Sequence, residues 1–530
     1  MRRRLSVFVA LIAAFSLIAA ACGSDDDDSA AAPAPPPEPA PAAPEPPPPP
    51  ADEPPPADDM ADDMADDMAD DMADDMADDM GEDTPGTRAI AGIKALNLPP
   101  DTTITVFTED LSILGPEVTK DDFEAQSGIK LDIQKSPFGE YASKILADAA
   151  TQAGTFDVVL VETNRLGDLD NAGYLVDVTE WVERYDPDIE DFIFPISHTA
   201  SQYNGRYVGL PTDGDVFIFY YRKDLLEDPA EQAAFAEQYG RELTVPVTYD
   251  EYMEVLEYFT RPEDNLYGAA EWRITAVNYW WFWQRLWSGG GTYFNDDMSA
   301  AVNSPAGVQA LEDMIAMEAV MSPDALSYGY VETVEAMTSG TAFSNITWPA
   351  AGKNANDPET SSTVGKWGYA TVPGYVVNGE VNQRSMSAPG YTILVSNHAD
   401  VNKEAAYLYT QWFTSPENLI KANQNLGGNT DVVRASIFAD PSMAELFPGA
   451  GEYLDAQKAN LAQAVPDPVL PGYGEYAQAL EIELSNALTG QKSPQEALDD
   501  AAEAWDEITD SYGREEQLQV WQNFLASIAG

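Results

Sequence analysis

The chain has 530 residues, 90 acidic and 27 basic, for a net charge of −63 at pH 7, with 44% hydrophobic and 10% aromatic residues. That length suits more than one domain or one large two-lobed body, and the charge argues against a nucleic-acid binder, which needs cationic surface to neutralise phosphates. One cysteine and two histidines, His198 and His398, argue against a disulfide framework, a cysteine-rich zinc site and histidine-based chemistry.

Residues 1–22 read as a secretory signal. Arg2, Arg3 and Arg4 precede an apolar run from Leu5 to Ala20, and small residues lead to Cys22. The run is short for a spanning helix, which needs about 20 residues. Ala19-Ala20-Ala21-Cys22 resembles a bacterial lipobox, which implies lipidation at Cys22 and anchoring by acyl chains. Plain secretion is the alternative.

Residues 23–98 read as a disordered Pro/Asp-rich tether. Fifteen of the 39 prolines fall in 31–56, and Ala-Asp-Asp-Met repeats six times over 57–80. Proline-rich text favours extended polyproline II, and the repeat sets Asp against Asp at i,i+4. Its carboxylates also offer a weak divalent-cation site as a second reading. From residue 87 onward, 68 acidic and 24 basic residues still leave −44.

The remainder alternates strand and helix. Thr103–Phe107, Ile129–Gln134 and Phe156–Val161 read as strands; helices are expected near 121–128, 141–152 and 166–172. The continuous apolar run at Phe156–Val161 suits a strand buried on both faces, and the order argues a parallel α/β sheet. Tyr207–Pro211 and Val216–Tyr221 give two more strands. Further helices are read at 250–259, 304–317, 403–413 and 494–508. Ser304-Pro305, Ser415-Pro416 and Ser493-Pro494 each read as N-cap followed by Pro at the first helical position.

Several segments, in order, resemble family 1 extracellular solute-binding proteins, the carbohydrate-type receptors of ABC importers. They are Phe156-Asp157-Val158-Val159 leading to Ala172-Gly173-Tyr174-Leu175; Gly205-Arg206-Tyr207-Val208-Gly209-Leu210-Pro211 with Tyr220-Tyr221-Arg222-Lys223-Asp224-Leu225; Asn303-Ser304-Pro305-Ala306-Gly307-Val308; and Ala405-Ala406 through Trp412 to Ser415-Pro416-Glu417. The resemblance covers roughly residues 100–510. It implies a two-lobed α/β fold of the periplasmic-binding-protein type (type II), with hinged lobes and a ligand cleft between them. The expected division is 99–211 and 373–428 for lobe one, and 212–372 and 429–530 for lobe two and the C-terminal helices. Crossings are expected near 210–216, 372–386 and 427–432.

Ligand contacts are expected at the carboxyl ends of strands and at the crossings. Sugars offer apolar faces to aromatic rings and hydroxyls to carboxylates and amides. The candidates are Glu109, Asp110, Glu162, Asn164, Asp213, Asp215, Tyr391, Asn429, Arg434 and Tyr473, with Trp272, Trp281 and Trp348 for stacking. Trp280, Trp283 and Trp287 share one helical face and read as core. Arg165, Arg273 and Arg434 are the alternative, for an anionic ligand.

The leading reading is a non-enzymatic lipoprotein that captures a carbohydrate and delivers it to the permease subunits of an ABC importer. It needs no cofactor or metal, binds no nucleic acid, touches the membrane through its lipid alone and is expected as a monomer. It would sit outside the cytoplasm, on the outer face of the cell membrane or in the periplasm. A non-sugar solute (a polyol, glycerol phosphate or small peptide) is the second reading. A glycoside hydrolase using Asp213 and Asp215 is a third, but no nucleophile elbow, zinc-helix motif or P-loop is present.

Overall fold

The computed structural model describes residues 83–528 except 276, 388 and 389. Two sheets organise it. The first uses β1 (Thr103–Glu109), β2 (Lys130–Ser136), β3 (Val158–Glu162), β4 (Gly209–Pro211) and, much later in the chain, β10 (Tyr391–Val395), in the order β2-β1-β3-β10-β4. The second uses β5 (Ile218–Arg222), β6 (Tyr267–Ala269), β7 (Ala342–Thr347) and β8 (Trp367–Ala370), in the order β8-β5-β7-β6. Between the sheets, β9 (Ser385–Ser387) pairs in parallel with β11 (Ala464–Pro466).

The chain therefore leaves the first sheet after Pro211, enters the second at Ile218, and returns to the first at Tyr391. That return changes the expected sheet type. β1 is parallel to both β2 and β3, but β10 runs antiparallel to β3 and β4. The second sheet is antiparallel except for β6 and β7. Alternation of strand and helix forces parallel neighbours only while the chain stays in one sheet; a strand arriving from the other side is free of that rule.

Strand β3 lies between β1 and β10, and all five of its residues are buried. Burial on both faces is what its unbroken Val-Val-Leu-Val run requires. Helices α2 (Leu114–Ser127), α3 (Phe138–Thr151) and α7 (Lys403–Phe413) cover the first sheet. On the second, α4 (Tyr249–Phe259) packs against β6 and β7, the short α6 (Ala350–Ala355) follows β7, and α8 (Ala450–Leu461) packs on β8 and β5. Helix α5 (Tyr279–Ser288) carries four of the tryptophans. Helices α9 (Tyr473–Leu488), α10 (Pro494–Tyr512) and α11 (Arg514–Ile528) close the chain.

The expectation of a tether running to residue 98 fails over its last part. Pro85–Ala95 is a helix, α1, packed along α7. Thr84 and Thr87 form a reciprocal capping box, Pro85 takes the first turn, and Ala89, Ile90 and Ile93 are buried. Residues 1–82, including Cys22 and the Ala-Asp-Asp-Met repeats, lie outside the described residues. Among the described residues, no helix is long and apolar enough to cross a membrane.

Below the second-sheet tryptophans sits a buried ion triad. Glu271 accepts from Arg285 at 3.0 Å and from Arg273 at 2.9 Å, and all three side chains are fully enclosed. Such a group is costly to bury but costlier to break, because the survivors lose their counter-charge.

Candidate functional site

Strands β1 and β3 are neighbours, and each ends in an acid at its carboxyl end, Glu109 and Glu162. Glu109 is fully buried; its Oε2 accepts from the Leu111 amide, while Oε1 has no partner. Burial holds its pKa above the usual carboxylate range. Glu162 stands 3.4 Å from Arg165 Nε. The next turn, Thr163–Arg165, brings in Asn164, whose Nδ2 donates to Asp467 Oδ2 at 2.7 Å and whose buried Oδ1 has no partner.

The segments that pass between the sheets stack directly on one another. The Thr212 amide donates to Tyr391 O at 2.9 Å, and the Asp431 amide donates to Asp213 Oδ1 at 2.7 Å. Gln457 Nε2 donates to both Gly214 O at 3.2 Å and Val432 O at 3.3 Å. Two glycines make this closeness possible. A Cβ on Gly214 would lie 1.9 Å from Val432 O, and one on Gly390 (φ +56°) would lie 2.2 Å from Asp213 O. Asp213, Asp215 and Asp431 each bring a carboxylate oxygen within 4.8 Å of the others. Burial first, and mutual repulsion second, push the Asp213 and Asp215 carboxyls well up; burial also raises Asp431, against the pull of Lys353. Lys353 Nζ lies 3.3 Å from Asp431 Oδ1 and is itself buried.

The opposite wall is aromatic and comes from the second sheet. Trp348 directly follows β7, and Trp272 lies three residues beyond β6. Trp280, in the first turn of α5, meets Trp348 edge-on at 5.3 Å, and Tyr330 meets Trp272 edge-on at 5.6 Å. These rings, with Glu109, Glu162, Asn164, Asp213, Asp215 and Tyr391, line a cleft between the sheets. Its enclosed depth is about 60 Å³, room for a few water-sized groups, and it opens past Phe138, Glu162 and Tyr330 into a groove of about 850 Å³.

Of the sequence candidates, Glu109, Glu162, Asn164, Asp213, Asp215, Trp272, Trp348, Tyr391 and Asn429 line this cleft. Asp110 does not; it is exposed beyond the end of β1. Trp281 does not; it is core, tilted against Phe217 at 4.7 Å, with its Nε1 donating to Ile346 O at 2.8 Å. Arg434 does not; it is fully buried over the Phe192 ring, donating to Thr414 O, Pro187 O and Asp188 O. Tyr473 lies behind the cleft, where its hydroxyl donates to Asp467 Oδ2 at 2.7 Å. Arg273 belongs to the buried triad.

The reading of α5 is inverted at its start. Trp280 faces the cleft although it shares a helical stripe with Trp283 and Trp287, because the helix begins at Tyr279 and its first turn projects past the core. Asp431 and Lys353 were missed as well. Asp431 lies two residues from Asn429 in an expected crossing, so its position was a usable signal; no sequence pattern marks Lys353 or Tyr330.

Chemically, the cleft offers acceptors on one side and ring faces on the other. Among the described residues lining it, none is Lys or Arg. Asp213, Asp215 and Asp431 are the one described acid trio close enough to share a cation.

A model of the bacterial extracellular solute-binding protein family matches residues 107–420, more than half of the chain. A probable amino-acid ABC transporter periplasmic-binding protein of Sinorhizobium fredii is 24% identical over 386 residues, 72% of this chain and 82% of that protein. An erythritol/L-threitol-binding protein of Mycolicibacterium smegmatis is 23% identical over 60% of this chain and 67% of its own length. Among solved structures, a ribitol complex of an Agrobacterium radiobacter solute-binding protein superposes with TM-score 0.66 at 25% identity, covering 77% of this chain and all of its own. A maltose-bound protein of T. maritima gives TM-score 0.65 at 20% identity, over 77% of this chain and all of its own. With its interlobe cleft and type II two-lobed fold, this chain belongs to the bacterial extracellular solute-binding proteins, the extracytoplasmic receptors of ABC importers, which bind and deliver solutes and are not enzymes.

Proposed function

We propose that this receptor captures a sugar or polyol between its two sheets and hands it to the permease of an ABC importer. The observation that carries the reading is the aromatic wall of Trp272, Trp280 and Trp348 facing a rim of carboxylates and amides. Rings cover the C–H face of a polyhydroxylated ligand while Glu109, Glu162, Asn164, Asp213, Asp215, Tyr391 and Asn429 take its hydroxyls. The named ligands of the relatives, ribitol and maltose among them, agree with that chemistry. An anionic solute fits less well: Arg165 sits on Glu162 and Lys353 on Asp431.

In this reading the two lobes hinge at the crossings near 211–218, 370–391 and 428–433, and Cys22 carries the lipid that holds the receptor to the membrane. The test is the thermal unfolding midpoint of the purified full-length protein, freed of copurified ligand, with a panel of sugars and polyols. A ligand at 100 times its Kd stabilises the folded state by about 2.7 kcal/mol. One selective shift is expected, and silence across the panel would refute the reading. For the anchor, Cys22→Ala should leave the membrane fraction; a variant that stays there contradicts lipidation.

A further inference from the structure

The cleft holds more carboxyl groups than a neutral sugar needs. Five carboxylates stand on or beside it: Glu109, Glu162, Asp213, Asp215 and Asp431. Two cations face them, Arg165 at 3.4 Å from Glu162 and Lys353 at 3.3 Å from Asp431. Carboxylates out of reach of water resist ionisation unless a positive charge or donors meet them.

The acceptors left over point the same way. Glu109 Oε1, on a fully buried side chain outside the aspartate trio, has no hydrogen-bond partner. Asn164 Oδ1, also buried and lining the cleft, has none either. Asp213 accepts the Asp431 amide through Oδ1 and lines the cleft. So the cleft keeps buried acceptors open to donors, with more carboxyls than cations beside them.

Resting on the proposed sugar or polyol reading, we infer that the solute carries a protonated amine, seated on Asp213 and Asp215 with Asp431 beside them. It is an amino sugar or an amino polyol. Its ammonium would donate to the free aspartate oxygens, its hydroxyls to Glu109 and Asn164, and the rings of Trp272, Trp348 and Tyr330 would supply faces to both the cation and the carbon skeleton. A metal ion fits the trio less well. A calcium ion takes six to eight oxygens, more than three carboxylates leave free once one oxygen holds the Asp431 amide.

The test uses matched pairs differing in one group: D-glucosamine against D-glucose, and 1-amino-1-deoxy-D-glucitol against D-glucitol. Binding to the full-length protein at pH 7 is read by calorimetry and unfolding midpoint, with NaCl and CaCl₂ alone as further arms. The amine of at least one pair is expected to bind at least tenfold more tightly than its hydroxyl partner. Asp215→Asn should erase that advantage, and Asp213→Asn, which keeps an Oδ1 for the Asp431 amide, provides a second variant if the first does not fold. Equal or tighter binding of the hydroxyl members overturns the inference and leaves the sugar-receptor reading standing. So does a neutral sugar from the wider panel binding when neither amine does. A midpoint raised by either metal salt and lost in Asp215→Asn makes the cation a metal and overturns it too. Silence from both pairs and the whole panel overturns both readings together.

Discussion

Asn164 donates its amide to Asp467 Oδ2 at 2.7 Å, joining positions 303 residues apart. Asn164 follows β3 of the first sheet; the same oxygen also accepts from Trp280 Nε1 at 3.0 Å and Tyr473 Oη at 2.7 Å, on helices beside the second. Asp467 therefore fastens the floor of the cleft from both sides. Its other oxygen is buried with no partner, and burial pushes its pKa up to about 7.

That shift sets a pH dependence. The folded chain holds a proton on Asp467 between about pH 4 and 7, where the unfolded chain has released it. More protons bound in the folded state means that stability falls as pH rises through this window, by at most about 4 kcal/mol from this group. Asp467→Asn, which resembles the protonated acid, should flatten the slope. Urea unfolding of both proteins at pH 4.5, 6 and 7.5 measures it; parallel slopes would sink the assignment.

Trp348 and Trp281 should separate binding from packing. Trp348→Ala removes a ring from the cleft and should weaken ligand binding roughly 30-fold, about 2 kcal/mol. Trp281→Ala opens a hole in the core and should cost about 3–5 kcal/mol of stability, with affinity of the folded fraction kept within a few-fold. Calorimetry and denaturant unfolding on each variant check the pair. Similar affinity loss in both would mean that Trp348 acts through packing alone.

Glu271→Gln should destabilise the second sheet's side strongly. It strips the counter-charge from Arg273 and Arg285 and leaves two buried cations together. The expected loss is about 3–5 kcal/mol in urea unfolding. A loss under about 1 kcal/mol would show that the arginines find other partners.

Gly214→Ala should disturb the crossings. Its methyl would meet Val432 O at 1.9 Å, so two backbones must part. We expect about 1–3 kcal/mol of destabilisation and, by small-angle scattering, a larger radius of gyration with ligand present than the wild type shows. A variant of unchanged stability and radius would mean that the segments separate freely.

Much of the architecture was legible because its signals are local. The Val158–Val161 run announces a strand covered on both faces, and Ser304 and Ser493 accept from the helical amides as N-caps should. Ser415 precedes its helix without a side-chain cap bond. What escaped is contact at long range. Nothing near Tyr391 says that its strand runs against β3 rather than along it, and nothing near Arg434 says that Thr414 and Pro187 will absorb its donors. Strand ends and crossings located most of the cleft's acids, since those are chain positions. Telling Trp280 from Trp281 needed the point where α5 emerges from the core, which periodicity does not encode.

Asp213 faces the cleft with its carboxylate while its backbone carbonyl lies against Gly390 and its Oδ1 holds the amide of Asp431. Selectivity and mechanics are thus written in the same few atoms. In the proposed reading, a change there that improves grip on one solute also alters how the crossings pack, so new taste and altered hinging arrive together. In that reading, remodelling it as a sensor is better begun at Trp272 or Trp348, on the aromatic wall opposite the aspartates.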